Sequence, residues 1–439
     1  MILLSIAARE RLCMAKVDIG GAYLNAKMEG EEVIMRLDPL LTAIATKYLP
    51  ELKPYEENGK MLVKLDKALY GCVQSAKLWY DTLIKRLHEM GFSPNEADPC
   101  VFNKMIRGKK CTLCIYVDDI LILSKEKQAI DEVIDALKAG FDDVKVEQGE
   151  DISYLGMNIK LKHGSAEIDM KTFIVDALKS YGPVKNASTP AAAKLFDNPG
   201  SEELSEDEAK SFHTHVMRLL YLGQRGRPDI LLPILCLCTR VQRPTVADSK
   251  KLSRVFGYLQ ETKDQTLTLN CGDFNNIKVY IDAAFGIHAD GKSHSGCAIY
   301  LGGACIWCSS RKQKIVTKDS TEAELVALQD MLLMVEQIQE FLIQQGVELN
   351  LPVIFQDNTS TITLVTQGGG KSRNKHLRAR QAWVKERHDK KEIKIVHTGT
   401  HNMIADALTK PIQGELFRKY VRQIMGTKKI ERATSTGAR

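Results

Sequence analysis

Seven acidic side chains in this 439-residue sequence have the types and settings that could do chemistry. Asp118 and Asp119 stand side by side in CTLCIYVDDILILSK, between two apolar runs, and Asp18 ends MAKVDI just before Gly20 and Gly21. Asp282 lies in KVYIDAAF, Glu324 in STEAELVAL, Asp357 in FQDN and Asp406 in NMIADALTK. Neighbouring carboxylates repel, and one drawn into an apolar setting is unfavourable unless it is paired or bound to a cation. If Asp18 faces the tip of the 111–125 hairpin, three carboxylates meet, and hard divalent cations are what such oxygen ligands suit. Two ions about 4 Å apart serve in-line phosphoryl displacement, one activating the attacking oxygen and the other stabilising the leaving one. The four later acids sit on four elements and form a second cluster only if packing brings their ends together. Taken singly, each acid has a plainer role. The 118–119 pair suits an exposed turn. Thr321 and Glu324 have the spacing of a capping box, Asp357 could cap the helix after it, and Asp406 could sit on a helix surface.

The elements that would position these residues follow from periodicity. CTLCIYV and ILILS predict a hairpin with the acid pair at its two-residue tip. MILLSIAARERL reads as a helix leading into the strand MAKVDI. In KLWYDTLIKRLHEMG, Trp79, Leu83, Leu87 and Met90 recur at helical spacing, and Gly91 is a stop. EKQAIDEVIDALKAGF is a second amphipathic helix, and YLGMNIKLKHGSAEIDM a hairpin turning near Gly164. Turn formers and an acidic run mark residues 189–210 as a linker, and 211–265 read as helices. From residue 276 come three strands, a long helix closed by Gly346, the strand LPVIFQ and the helix TSTITLV. A glycine loop at Gly368–Gly370, a basic helix through KHLRARQAWVKERH, the strand EIKIVHT and a last helix, NMIADALTK, stopped by Pro411, complete an α/β order.

Composition bounds the setting. The length allows two or three domains, and the apolar and charged fractions are those of globular protein. Eleven scattered cysteines and no secretory leader predict a reducing, intracellular compartment. The opening apolar run is too short to span a membrane, so no membrane role is expected. Residues 371–439 carry 18 Lys and Arg against 6 Asp and Glu, so the positive charge is concentrated at the C-terminal end. Such a region suits a polyanionic partner, or simply a solvated surface. Cys111/Cys114 and Cys305/Cys308 have zinc-like spacing, but residues three apart in a strand point to opposite faces, so no zinc is expected without a bulge.

MAKVDIGGAYLNAKMEGEEVIMRL, KLDKALYGCVQSAKLWYDTLIKRL, CIYVDDILILSK and YLGMNIKL, in that order, resemble the palm of a copia-type (Pseudoviridae-like) LTR-retrotransposon reverse transcriptase. YIDAAFG, KSHSGCAIYLGGACIWCSSRKQ, STEAELVAL, FQDNTSTITL, RNKHLRARQAWVKE and MIADALTKP resemble the ribonuclease H domain of the same elements, and Arg227 to Asp229 resembles a segment between them. The likeness runs through nearly the whole chain. It implies an α+β and α/β multidomain fold: a palm over 1–163 without N-terminal fingers, a thumb and connection over 164–273 with the linker near 189–210, a ribonuclease H-like domain over 274–411 and a basic tail over 412–439.

The resemblance also implies an RNA-directed DNA polymerase joined to a ribonuclease H. Asp18, Asp118 and Asp119 would hold metal and catalyse polymerisation. Asp282, Glu324, Asp357 and Asp406 would hold metal and cleave RNA in a hybrid. Each site would take two Mg2+, with Mn2+ as a substitute. Tyr23 would exclude a 2′-hydroxyl, Tyr70 and Gly71 would lie near the nucleotide, Leu155, Gly156 and Met157 would support the primer, and Lys375 and His376 would meet the hybrid backbone. His401 matches a loop histidine only loosely and stays outside the catalytic set. The implied partners are RNA template, DNA primer, RNA–DNA hybrid and dNTPs, with homodimerisation or assembly with other Pol and Gag products, in cytoplasmic virus-like particles or the nucleus. Two departures qualify the polymerase: the fingers that would precede Asp18, and alanine at Ala76 where the family more often has proline nearby, which could loosen that turn. The alternatives are a chain active only as a hybrid nuclease and an inactive nucleic-acid-binding remnant.

Overall fold

Apolar residues of short strands build the first sheet. In Cys13–Ile19, Ala15, Val17 and Ile19 are buried while Lys16 and Asp18 face the other way. The strand lies between Asp119–Ser124 and Val144–Gln148 in an antiparallel sheet that continues through Lys109–Tyr116, Asp98–Ile106 and Ser93–Asn95. Helices Ser75–Glu89 and Lys127–Lys138 cover one face. Trp79, Leu83 and Leu87 of the first, and Ile130, Val133, Ile134 and Leu137 of the second, form one core with the sheet. The computed structural model describes residues 1–197, 200–272, 274–368 and 375–427. Gly369 and Gly370 of the expected glycine loop, and residues 428–439 of the expected tail, lie outside these.

Two compact units result: Cys13–Gly149, and Met1–Leu12 together with Glu150–Arg439. The second holds a four-stranded antiparallel sheet of Asp151–Tyr154, Met157–Lys162, Ser165–Asp169 and Leu267–Asn270. The N-terminal helix Ile2–Glu10 packs beside it. Helices Lys171–Tyr181, Glu206–Arg225, Leu231–Cys238 and Val246–Glu261 follow the helical pattern of the sequence. Among them Arg227 and Asp229 form a fully buried bidentate pair with contacts of 2.9 and 2.7 Å. Tyr258 donates to Asp229 at 2.7 Å, and Arg227 donates to the Thr262 carbonyl at 2.9 Å.

The last sheet has five strands. Ile277–Ala284, His294–Leu301 and Ala304–Lys312 pair antiparallel, and Val353–Gln356 and Lys394–His397 join the other edge of the first strand in parallel. The spatial order is third, second, first, fourth, fifth. Helix Ser320–Gln344 buries Leu325, Leu328, Met331, Leu332 and Val335 against it. The mixed α/β architecture expected from the sequence is thus the one found.

Four local differences have physical reasons. The expected final helix is two 3-10 turns, Thr400–Asn402 and Ile404–Leu408. Ile404, Ala405, Asp406 and Leu408 are all buried, and Pro411 stops the chain before a full helical turn can repeat. Residues 414–424 of the expected tail form a helix that buries Phe417, Tyr420, Val421 and Ile424, a helical periodicity. The hairpin tip is Val117-Asp118, and Asp119 is already the first residue of the return strand, opposite Tyr116. Finally, a bulge near Tyr300 and Cys305 puts the Cys305 and Cys308 sulfurs 3.3 Å apart, on one side of a strand where regular alternation would separate them.

Two buried histidines lie in this last sheet region. His294 shares a 2.7 Å hydrogen bond with Ser310 through Nε2 and faces His288 at 3.0 Å through Nδ1. Burial lowers both imidazoles, His288 to about 4 and His294 to about 3. Unfolded imidazoles titrate near about 6.5, so below that pH the unfolded chain takes up protons that the folded one refuses. Stability should therefore fall as pH drops from about 6.5 toward 4. His294→Asn is expected to flatten that slope in urea midpoints measured against pH; an unchanged slope would place the acid sensitivity elsewhere.

Candidate active sites

The clearer site lies at one end of the five-stranded sheet. Asp282 comes from the central strand, Asp357 follows the neighbouring parallel strand, and Asp406 comes from the 3-10 turn. One carboxylate oxygen from each lies within 4.8 Å of the others. Asp282 and Asp406 are buried, and Asp357 is half-buried. Glu324, buried in the first turns of the long helix, accepts from the Ala283 N–H and from Gln356 Nε2, the latter at 3.2 Å.

The plainer roles of these acids are filled by their neighbours. The long helix is capped by Asp319, which accepts from the Glu322 N–H at 2.9 Å, so Glu324 is not in a capping box. The short helix Thr359–Thr366 is capped by Asn358, which accepts from Thr361 at 3.0 Å and leaves Asp357 free of that task. Asp406 is not on a surface.

Crowding sets the electrostatics. Burial, then Asp282 and Asp357, push the Glu324 carboxyl well above the usual carboxylate range. Asp357 is raised by burial and by Asp282. Asp406 is pushed up to about 7 by burial and Asp282, although Lys410 pulls it down. The cluster is short of positive charge, and its donors are all hard oxygens, which fits divalent ions such as Mg2+ or Mn2+.

Three residues here carry roles that reading the sequence missed. Lys410 Nζ lies 2.6 Å from Asp406 and 3.2 Å from Asp282, and Thr409 donates to the other Asp282 oxygen. Gln356, fully buried, holds Glu324 with its amide N–H and accepts from the Asp357 and Asn358 N–H groups with its carbonyl. The one available signal was spacing: Lys410 stands four residues after Asp406. Lys410→Gln is expected to raise Asp406 beyond its present value, since Lys410 supplies both influences that lower it. A carboxyl-carbon NMR titration would check this, and an unmoved Asp406 would mean the ammonium is not seated there in solution.

The second acid set lies on the helix-free face of the six-stranded sheet. Asp18 and Asp119 are direct cross-strand partners, and the Ile19 N–H bonds the Asp118 carbonyl at 3.1 Å. Lys16 Nζ stands 3.0 Å from an Asp119 oxygen, an ion pair on the same face. Among the described residues, only Asp282, Asp357 and Asp406 gather three carboxylates as tightly as stated above, so the trio of Asp18, Asp118 and Asp119 is looser. Gly20 abuts Asp143, whose carbonyl accepts its N–H at 2.8 Å, and a Cβ there would overlap the Asp143 carboxyl. Tyr23 and Tyr70 pack ring on ring, with centroids 4.2 Å apart. Burial, followed by the charge of Asp118, raises the Tyr70 hydroxyl. Gly71 has φ +103, a conformation that favours glycine. The turn beside Ala76 is tied without proline: Ser75 Oγ donates to the Leu69 carbonyl at 2.7 Å and accepts from the Leu69 N–H at 3.1 Å.

The remaining expected site residues lie in the larger unit. Leu155 and Gly156, at φ +50 and +70, form the tip of the hairpin whose strands pair Tyr154 with Met157. Tyr221 donates to the Leu155 carbonyl at 2.7 Å. Lys375 and His376 open the basic helix Lys375–Asp389 and are exposed. Among the described residues no helix is long and apolar enough to cross a membrane.

The chain thus carries an antiparallel sheet with an acidic turn, followed by a five-stranded mixed sheet with Asp282, Asp357 and Asp406 gathered at one end beside Glu324. Residues 1–192 match the family model for reverse transcriptase (RNA-dependent DNA polymerase). The Pol polyprotein from transposon RE2 of Arabidopsis thaliana is 29% identical over 431 residues, which cover 96% of this chain and 28% of that protein. The Pol polyprotein from transposon TNT 1-94 of Nicotiana tabacum is 28% identical over 94% of this chain and 31% of its own length. The Ty1-LR2 Gag-Pol polyprotein of Saccharomyces cerevisiae is 26% identical over 95% of this chain and 24% of its length. The chain is a homologue of the Pol polyproteins of copia-type retrotransposons, and it spans about a quarter to a third of the length of these relatives. Solved structures that align with it include LC11-RNase H1 (21% identity, 30% of this chain and 92% of that one, TM-score 0.25). Prototype foamy virus protease-reverse transcriptase also aligns (13% identity, 94% of this chain and 46% of that one, TM-score 0.23).

Proposed function

We propose that the chain is an RNA-directed DNA polymerase with ribonuclease H activity, acting through two separate acidic sites. The observation that carries this reading is the gathering of Asp282, Asp357 and Asp406 beside buried Glu324, on a homologue of retrotransposon Pol proteins. We assign the palm to 1–163, the thumb and connection to 164–273, the nuclease domain to 274–411 and a basic C-terminal segment to 412–439.

In the nuclease, Asp282, Glu324, Asp357 and Asp406 would hold two Mg2+. In the polymerase, Asp18, Asp118 and Asp119 would do so. Bound there, the ions would supply an activated attacking oxygen and neutralise the leaving one. The chain's own residues do the rest. Thr409 and Gln356 orient Asp282 and Glu324 through the hydrogen bonds given above. Lys410 compensates the negative charge of the Asp282–Asp406 pair. Tyr23, backed by Tyr70, would stand under the incoming sugar and reject a 2′-hydroxyl, with Gly71 letting the backbone approach the nucleotide. Leu155, Gly156 and Met157 would support the primer end, and Lys375 and His376 would meet the hybrid backbone. The substrates would be primed RNA template, dNTPs and RNA–DNA hybrid, within a retrotransposon particle or the nucleus, with self-association or binding to other Pol and Gag products.

A second reading, a hybrid nuclease whose palm only binds, is favoured by the Lys16–Asp119 ion pair and the looser palm acids. The purified chain, given labelled hybrid and primed RNA with dNTPs and Mg2+, separates the two. Both activities support the main reading, cleavage alone supports the second, and neither leaves a binding remnant. Asp118→Asn should remove extension and spare cleavage.

A further inference from the structure

We infer that Trp79 is a positioning residue for the acidic turn of the palm: its indole N–H holds Val117 in a strained backbone state that sets Asp118. The inference rests on the polymerase reading above. Val117 has φ +57, a left-handed conformation that a β-branched side chain adopts only against steric resistance. The residue is 41% exposed, so packing does not force it there. The two-residue hairpin closed by the Tyr116–Asp119 pair calls for a positive φ at its first turn position, where valine is a poor fit. Strand pairing ends at Tyr116 and Asp119, and the Ile19 N–H reaches only the next carbonyl, that of Asp118.

The Val117 carbonyl, however, accepts from Trp79 Nε1 at 2.6 Å, a short bond for an N–H donor. Trp79 cannot easily follow the turn if the turn relaxes. It is 1% exposed, sits in helix Ser75–Glu89, and meets Phe141 edge to face at 5.5 Å. A buried indole N–H that loses its partner is unfavourable, so each side of this bond holds the other. Relaxing Val117 would rotate the peptide that leads into Asp118. The acid pair would then shift against Asp18 while the hydrophobic core stayed intact. Strain held by surrounding structure in this way is a recurrent feature of functional turns.

The test is Trp79→Phe, which keeps the packing and removes the donor. Amide exchange over residues 116–120 should speed up. Primer extension should fall about tenfold in kcat, the size of one lost buried hydrogen bond, with dNTP KM nearly unchanged. Hybrid cleavage, made by the other unit, should not change. In a Val117→Gly background, where positive φ carries no strain, adding Trp79→Phe should cost little further activity. Unchanged exchange at 116–120, or a full tenfold loss in the glycine background as well, overturns the inference. If the unmodified chain shows no extension, the polymerase reading fails, yet the exchange data still decide whether Trp79 holds the turn. Should Trp79→Phe fail to fold, the unmodified chain suffices. It has three tryptophans, and the Trp79 indole proton should be downfield and slow to exchange. A rapidly exchanging indole proton overturns the inference.

Discussion

Asp282→Asn is expected to lower hybrid cleavage by at least about a thousandfold, the scale of losing several kcal/mol of metal-assisted charge stabilisation, without loss of fold. Asp282 is the shared neighbour of the site. Its charge is among the causes that raise Glu324, Asp357 and Asp406 together. Asparagine keeps the shape and can still accept from Thr409, so packing is preserved. Removing the charge relieves repulsion, so Asp357 and Asp406 should fall back toward the ordinary carboxylate range and the melting temperature of the metal-free protein should hold or rise. Cleavage of labelled hybrid in Mg2+, set beside a thermal melt, checks both halves. An active variant would place the chemistry elsewhere, and an inactive but destabilised one would show Asp282 to be a structural anchor.

The second large effect concerns stability. Asp229→Ala should destabilise the larger unit by about 3–5 kcal/mol, because it strands the Arg227 guanidinium in a fully buried place. Arg227 would keep its bonds to Thr262, and Tyr258 would lose its acceptor as well. Replacing both charges, as Arg227→Met with Asp229→Leu, should recover much of the loss, since a buried pair contributes little net once its desolvation is counted. Urea unfolding of the three chains decides the matter. A double variant as weak as Asp229→Ala would mean that the pair is needed for its hydrogen bonds rather than merely tolerated.

The two cases show what a sequence can disclose. Asp118 and Asp119 were legible because an apolar run stands on each side of them and leaves only a turn between, which is a local property of the sequence. The exact tip was not legible, because Val117 is a poor residue for the left-handed turn position it takes, and the indole that bonds its carbonyl comes from 38 residues away. Among the later acids, position and order were readable, but the capping patterns gave Glu324 and Asp357 rival tasks. Where each helix begins decides between neighbouring candidates: Asp319 and Asn358 take the caps, each accepting from the N–H three residues on. Lys410, Thr409 and Gln356 are common residue types whose partners lie as far as 128 residues off, and apart from the four-residue step from Asp406 to Lys410 no local pattern marks them. The approach of Cys305 to Cys308 escaped the expectation of opposite faces for a related reason: a bulge suspends the alternation on which that expectation rests. The helix 414–424 is amphipathic, and its apolar stripe was outweighed by the surrounding excess of basic residues.

The chain enters the six-stranded sheet at Cys13 and leaves it at Gly149, and the two points are neighbours: Ala15 pairs with Gln148, and the Gly149 N–H bonds the Met14 carbonyl at 3.2 Å. The helix before Cys13 belongs to the unit that resumes at Glu150. In architectural terms the unit 13–149 is a cassette spliced into a host whose two flanks it does not need to stretch. A deletion of 13–149 closed by a few residues should therefore leave the host able to fold, and the cassette should fold by itself. The gene could in principle trade one such cassette for another without redrawing the host unit, and a ribosome must finish the whole insert before the host can close around its first helix.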